Sequence, residues 1–224
     1  MRDRSGRDRG NNRKSVAGVK VYSETKGYVD ASFDEDWSLI LINKEHPIPD
    51  DYEFELATIK GYIRSDVRVV PHVLDMVEAA KKDGVNLYIC SPYRDTSKQE
   101  KLFEKKMNFY IKQGKTTEEA YDLASQTVAI PGTSEHQVGL AFDIITDGHQ
   151  TLDAEFADTD AGKWLKAHSA EYGFILRYPL GKEDITGIEF EPWHFRYVGK
   201  AAALEMTRRG ITLEEYAEEI GLVE

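Results

Sequence analysis

The stretch Ser134-Glu135-His136-Gln137-Val138-Gly139-Leu140-Ala141-Phe142-Asp143, followed later in the chain by Glu191-Pro192-Trp193-His194, collects two imidazoles and a carboxylate beside a spare glutamate. Zinc in catalytic centres usually takes three protein ligands from His, Asp or Glu and keeps a fourth position for water. The metal lowers the pKa of that water toward neutrality, and a free carboxylate nearby can take its proton, which makes a nucleophile able to cleave an amide. On these residue types His136, Asp143 and His194 are the expected zinc ligands and Glu191 the expected general base.

Spacing is consistent with that chemistry. His136 and Asp143 stand seven positions apart, with an apolar, glycine-containing segment between them. A turn feeding a buried strand fits better than one short helix, and a period of two then puts Asp143 on the same side as the small Ala141. Burying an unpaired carboxylate is costly, so Asp143 needs either a metal or a cationic partner; Arg94 and Arg196 are the structural alternatives. Glu191 precedes His194 by three residues, and Phe195-Arg196-Tyr197-Val198 continues as aromatic and β-branched strand-like sequence. His46, His72, His149 and His168 lie outside any such constellation and read as surface or core histidines.

Several elements must carry these residues. Apolar residues at helical spacing from Pro71 to Asp83 end at Gly84, and Asn86 to Ser91 reads as a strand delivering Arg94 at its end. Asp95 to Gln113 is a charged helix whose Leu102, Phe103, Met107 and Tyr110 read as a core stripe rather than a binding groove. Thr116-x-x-Glu119 opens a helix running to about Val128, and Thr212-x-x-Glu215 opens the last helix. A turn at Thr146-Asp147-Gly148, a helix from Asp160 to Tyr172, and strands at Phe174–Arg177 and Trp193–Val198 complete the reading. Strands and helices without regular βαβ alternation predict an α+β fold with a small, mostly antiparallel sheet and flanking helices.

The pattern Ser134-x-His136-x-x-Gly139-x-Ala141-x-Asp143 with Glu191-x-Trp193-His194 resembles the zinc D-alanyl-D-alanine carboxypeptidases of the VanY type, relatives of the VanX dipeptidases and of the L,D-carboxypeptidases that trim peptidoglycan stem peptides. Ordered matches from about Trp37 to Tyr216 support it, including Leu39 to Pro49, Ser91-Pro92-Tyr93-Arg94 with Gln99, and Gly173 to Pro179. The resemblance implies the hedgehog/D,D-peptidase-like fold, zinc on His136, Asp143 and His194, and Glu191 as base. It also implies that Arg94 polarises the scissile carbonyl or holds the terminal carboxylate, with Ser134, Gln99 and Tyr178 contacting the substrate. Pro92 stands where the family pattern more often has glycine. A guanidinium suits either task assigned to Arg94, because its planar fork matches a carboxylate and its charge stabilises an oxyanion.

The implied substrate is a peptidoglycan stem pentapeptide ending in a D-amino acid, with L,D-carboxypeptidase activity on tetrapeptides and D,D-dipeptidase activity as alternatives. A zinc-stabilised binding module, like the signalling domain of hedgehog proteins, is the competing class. The ligand set speaks against it, since a structural zinc normally closes its fourth position with protein. The segments 104–130 and 147–160 are the candidate walls of a substrate groove.

Composition sets further limits. Twenty-nine basic against 40 acidic residues give a net charge of −11, which disfavours nucleic acid as a partner. Residues 1–14 hold six basic and two acidic residues, a local +4, which leaves −15 for the remainder. Residues 1–30 are therefore expected to be a disordered tail or linker and 31–224 a single zinc peptidase domain, and the chain is expected to be a monomer. No apolar run is long enough to span a bilayer, and the amino terminus lacks a secretory apolar core. A wall-trimming enzyme is nevertheless expected outside the cytoplasmic membrane, a cytoplasmic location being the alternative. The single Cys90 lies in apolar, strand-like sequence and reads as a buried, inert thiol.

Overall fold

The computed structural model describes residues 20–23, 27–30 and 35–223, with side-chain surroundings from 37 onward. In chain order the elements are β1 (Lys20–Ser23), β2 (Gly27–Asp30), β3 (Leu56–Lys60), β4 (Ile63–Asp66), α1 (Val70–Lys82), β5 (Tyr88–Ser91), α2 (Thr96–Lys112), α3 (Thr117–Ser125), β6 (Ala141–Ile145), α4 (Asp160–His168), β7 (Phe174–Leu176), α5 (Glu183–Thr186), β8 (His194–Tyr197), α6 (Lys200–Arg209) and α7 (Leu213–Glu219). Among the described residues every strand pairing is antiparallel, as expected, but the strands divide into two four-stranded sheets, ordered β2-β1-β3-β4 and β5-β6-β8-β7.

Short-range chemistry sets the helix ends. The Asp95 carboxylate accepts from the Lys98 amide at 2.8 Å and starts α2 one residue later than the polar run suggests. Thr116 with Glu119, and Thr212 with Glu215, close capping boxes at α3 and α7. α3 stops at Ser125, short of the expected Val128, and the residues beyond it, Thr127 to Ala129, turn toward the site. The helix expected to reach Tyr172 ends at His168 and continues as a 3-10 turn to Tyr172.

The structure adds two hairpins to the sequence reading. Residues 20–23 and 27–30 of the expected tail form β1 and β2, with Ser23 paired to Ala57 of β3; Val21-Tyr22 and Tyr28-Val29 are strand-favouring residues inside a charged neighbourhood. Residues 1–19 lie outside the described residues. The hairpin of β3 and β4 is also additional, its turn made at Gly61 with a φ of 57°.

The core lies behind the second sheet. Phe142 of β6 and Phe195 of β8 are register partners and almost fully buried, packed with Leu140, Ile144, Trp164 and Phe174. Each such aromatic contributes about 1.5–3 kcal/mol by leaving water. Because side chains alternate along a strand, fixing Phe142 and Phe195 inward turns Asp143 and His194 to the opposite face.

Candidate functional site

Asp143 and His194 are register partners across β6 and β8, and Asp143 is also opposite Ser91 of β5. The sheet thus brings together residues from three separate stretches of chain. His136 joins them from a 3-10 turn, Glu135–Val138, which ends at Gly139 with a φ of 70°. A Cβ at Gly139 would collide with the Asp66 backbone nitrogen, and the Gly139 carbonyl accepts from that same amide at 3.2 Å. Only glycine meets both conditions, and β4 thereby pins the turn.

The imidazole of His136 is oriented from behind. Its Nδ1 lies 3.0 Å from the Pro92 carbonyl, and the Arg94 amide bonds the His136 carbonyl at 3.1 Å. Pro92 therefore clasps the turn against the metal motif. With Nδ1–H donated to that carbonyl, Nε2 carries the lone pair, and it is buried with no hydrogen-bond partner among the described residues. His136 Nε2 lies 3.4 Å, and His194 Nδ1 3.1 Å, from Asp143 Oδ1. One ligand atom from each of the three residues lies within 4.8 Å of the others. An orphaned nitrogen beside a second imidazole and a carboxylate oxygen is a donor set that fits zinc in number, type and burial.

Electrostatics agree with that assignment. Burial and the charge of Arg94 push His136 down to about 4, against the pull of Asp143. Burial also disfavours charge on His194, but the hydrogen bond to Asp143 and the nearby Glu135 and Glu191 carboxylates outweigh it and push the group up to about 9. Glu191 has its Oε2 3.5 Å from His194 Nδ1, and burial pushes its carboxyl up to about 8, with His194 opposing. A nearby divalent cation favours the ionised form and draws such a carboxyl back toward the range of a base.

Arg94 is bound on three sides. Its Nε donates to Ser91 Oγ at 2.9 Å, Nη1 to Gln99 Oε1 at 3.0 Å, and Nη2 to Asp143 Oδ2 at 2.7 Å. Of the two structural partners considered for Asp143, Arg94 is the one engaged, and it takes the oxygen that does not face the imidazoles. Arg196 instead bonds Glu135. Gln99, expected against the substrate, is wholly buried; it joins Arg94 to the Ala129 carbonyl, 2.7 Å away, and does not line the cavity. Its burial makes it a support for Arg94 rather than a contact surface.

Arg94, Ser134, His136, Asp143, Tyr178, Glu191 and His194 all line one cavity of about 350 Å³. Ser134 precedes the 3-10 turn, yet its hydroxyl does not cap it. Lys106, Thr127, Val128 and Ala129 form one wall and Leu152 another, so both segments considered as groove walls take part.

A family model for VanY, D-alanyl-D-alanine carboxypeptidase, matches residues 63–200, which contain every residue of this cavity. The chain belongs to the VanY family. It is 44% identical over 184 residues to the D-alanyl-D-alanine carboxypeptidase of Enterococcus faecalis (strain ATCC 700802 / V583), covering 82% of this chain and 66% of that protein. The chain thus spans about two thirds of that relative's length. The structure of VanYB in complex with D-Alanine-D-Alanine has a TM-score of 0.76 at 43% identity, covering 82% of this chain and 98% of that one. A mutant of the vancomycin resistance D,D-pentapeptidase VanY from the VanB-type cassette, in complex with Zn(II), has a TM-score of 0.74 at 44% identity, covering 81% and 99%.

Beneath this VanY site lies a residue the sequence reading passed over. Glu135 is buried between Arg177 and Arg196, its Oε1 accepting from each at 2.7 Å. Among the described residues its Oε2 has no hydrogen-bond partner, and it stands 3.6 Å from His194 Nε2, which also has none. Burial would raise the Glu135 carboxyl, but the two guanidinium groups reverse that and hold it far below the usual carboxylate range. Arg177 extends the network to Glu214 of α7 with bonds of 2.8 and 2.6 Å. The only local signal for Glu135 was its place between Ser134 and His136.

Proposed function

We propose that this chain is a zinc-dependent D,D-carboxypeptidase that hydrolyses the terminal D-alanine from peptidoglycan stem pentapeptides, outside the cytoplasmic membrane. The observation that carries the reading is the convergence of His136 Nε2, Asp143 Oδ1 and His194 Nδ1 beside the Glu191 carboxylate in one cavity. Family membership, with relatives named for this activity, supports it. When bound, zinc supplies a water that is nucleophilic at neutral pH and polarises the scissile carbonyl.

The chain's own groups divide the remaining work. His136, Asp143 and His194 hold the metal, and Glu191 takes the proton of the attacking water and passes it to the leaving amine as the C–N bond breaks. Arg94 offers positive charge to the developing oxyanion or to the terminal carboxylate, and Ser134 and Tyr178 contact the peptide from the cavity wall. Gln99 acts through Arg94 as a positioning residue. The substrate class implies a role in cell-wall remodelling and glycopeptide resistance. It also places the enzyme in the envelope, and no described helix is long and apolar enough to cross a membrane.

Zinc-loaded protein incubated separately with D-Ala-D-Ala dipeptide, tetrapeptide and pentapeptide stems, with products resolved by chromatography, tests this reading. Free D-alanine and a shortened tetrapeptide are expected from the pentapeptide. Cleavage of the tetrapeptide alone would replace the reading with an L,D-carboxypeptidase. No product from any stem would leave the zinc-stabilised binding module.

A further inference from the structure

The cavity continues past the catalytic residues. Leu102, Lys106 and Val128 belong both to its wall and to a neighbouring groove of about 280 Å³ that adds Lys105 and Phe109. On α2, residues 102, 105, 106 and 109 stand at i, i+3, i+4 and i+7, and so form one stripe. The sequence pattern assigned Leu102 to the core, but Phe103 takes the buried position while Leu102 is half-buried at the cavity. Phe109 is 53% exposed, an unusual placement for a phenylalanine unless something covers it.

Charge distinguishes this stripe from its surroundings. In a chain of net charge −11 it carries two lysines. The Lys106 ammonium lies 5.7 Å from the Phe109 ring centroid and 5.4 Å from that of Tyr110. Among the described residues no carboxylate is ion-paired with Lys105 or Lys106, whereas Lys82, Lys115 and Lys182 each have one. The groove therefore combines apolar walls with a lysine that has no ion pair among the described residues, the Glu189 and Glu191 carboxylates lying in the adjoining cavity.

We propose that this groove holds the part of the substrate upstream of the scissile bond, and that Lys106 selects peptides carrying a free carboxylate there. The inference rests on the carboxypeptidase reading and specifies its substrate class. Leu102 to Phe109 spans roughly 10 Å at the helical rise, which is the length of about three extended residues. An aliphatic segment bearing a carboxylate satisfies both the apolar walls and the ammonium. A neutral peptide satisfies the walls alone.

Two synthetic peptides ending in D-Ala-D-Ala test this, identical except for a γ-linked glutamate ahead of the cleavage region whose α-carboxylate is free in one and amidated in the other. The wild-type ratio of kcat/KM, free over amidated, is expected to be about two- to fivefold, as for a partly shielded ion pair. Lys106→Gln should bring that ratio close to one, and added salt should shrink it in the wild type. A wild-type ratio of one, or a ratio unchanged in Lys106→Gln, overturns the proposal. Equilibrium binding of the same two peptides to the zinc-loaded Glu191→Gln protein reads the preference without turnover. A chain that cleaves neither peptide would thus overturn the proposed activity, while the binding ratio still decides for or against Lys106. A dimer in sedimentation that Phe109→Asp dissociates would show a second copy covering the groove, and would also overturn it.

Discussion

Glu135 Oε2 faces His194 Nε2 across 3.6 Å, and neither atom has a hydrogen-bonding partner among the described residues. Metal-bound imidazoles usually donate their second N–H to a carboxylate or carbonyl, which fixes the tautomer and makes the ligand nitrogen more basic. His136 has the Pro92 carbonyl for this purpose, and His194 has Glu135. Glu135→Gln is expected to weaken zinc binding by about 10- to 100-fold in chelator competition. Unchanged affinity would reduce Glu135 to a counter-ion for Arg177 and Arg196.

Glu191→Ala should keep its zinc, because none of the three converging ligand atoms belongs to Glu191. Turnover should fall by roughly 10²–10⁴-fold, the usual contribution of a general base. Metal analysis alongside steady-state kinetics checks both halves; near-normal turnover would remove Glu191 from the reaction.

Arg94→Lys is expected to be nearly as damaging as Arg94→Ala. The guanidinium reaches Ser91, Gln99 and Asp143 through three different nitrogens, and a single ammonium cannot span that fork. Full kcat/KM in the lysine variant would show that charge alone suffices at this position.

Acid should unfold the protein through the network around Arg177. Glu135 and Glu214 are both held below their ordinary values, Glu214 because Arg177 outweighs burial. Depressed carboxyls contribute stability that is fully present above the unfolded value, about 4.3, and lost as the pH falls through the lower folded values. Tm is thus expected to be flat near neutrality and to drop below about pH 4.5. Glu214→Gln should lower Tm at neutral pH and flatten the acid limb; an unaltered limb would assign the acid sensitivity elsewhere.

Cys90 should resist alkylation. Burial, with Asp143 nearby, pushes its thiol up to about 11, so the reactive thiolate is scarce at pH 8. Iodoacetamide labelling of native protein at pH 8 should be far slower than after denaturation. Equal rates would place the thiol in open solvent.

Much of the site was legible because its signals are short in range. A histidine and an aspartate bracketing an apolar glycine segment, and a glutamate three residues before a histidine, state their types and spacing locally. Helix starts at Asp95, Thr116 and Thr212 were readable for the same reason, since each cap is settled within three residues. The β1–β2 hairpin was hidden because its strand-forming residues follow a highly charged stretch, and a four-residue strand carries little periodic signal.

What the sequence by itself determined was the inventory: which side chains can bind a metal, which can move a proton, and which local elements present them. Only the tertiary structure decided the arrangement around them. The contacts of Glu135 with Arg177 and Arg196 join residues 42 and 61 positions apart, and Arg94 meets Asp143 across 49. Such pairs follow from strand register and from the cost of leaving buried charge unpaired, and neither cause leaves a mark on neighbouring residues. The same holds for Gln99 turning inward and Leu102 turning outward on α2, where one helical face is divided between core and cavity by what packs against it.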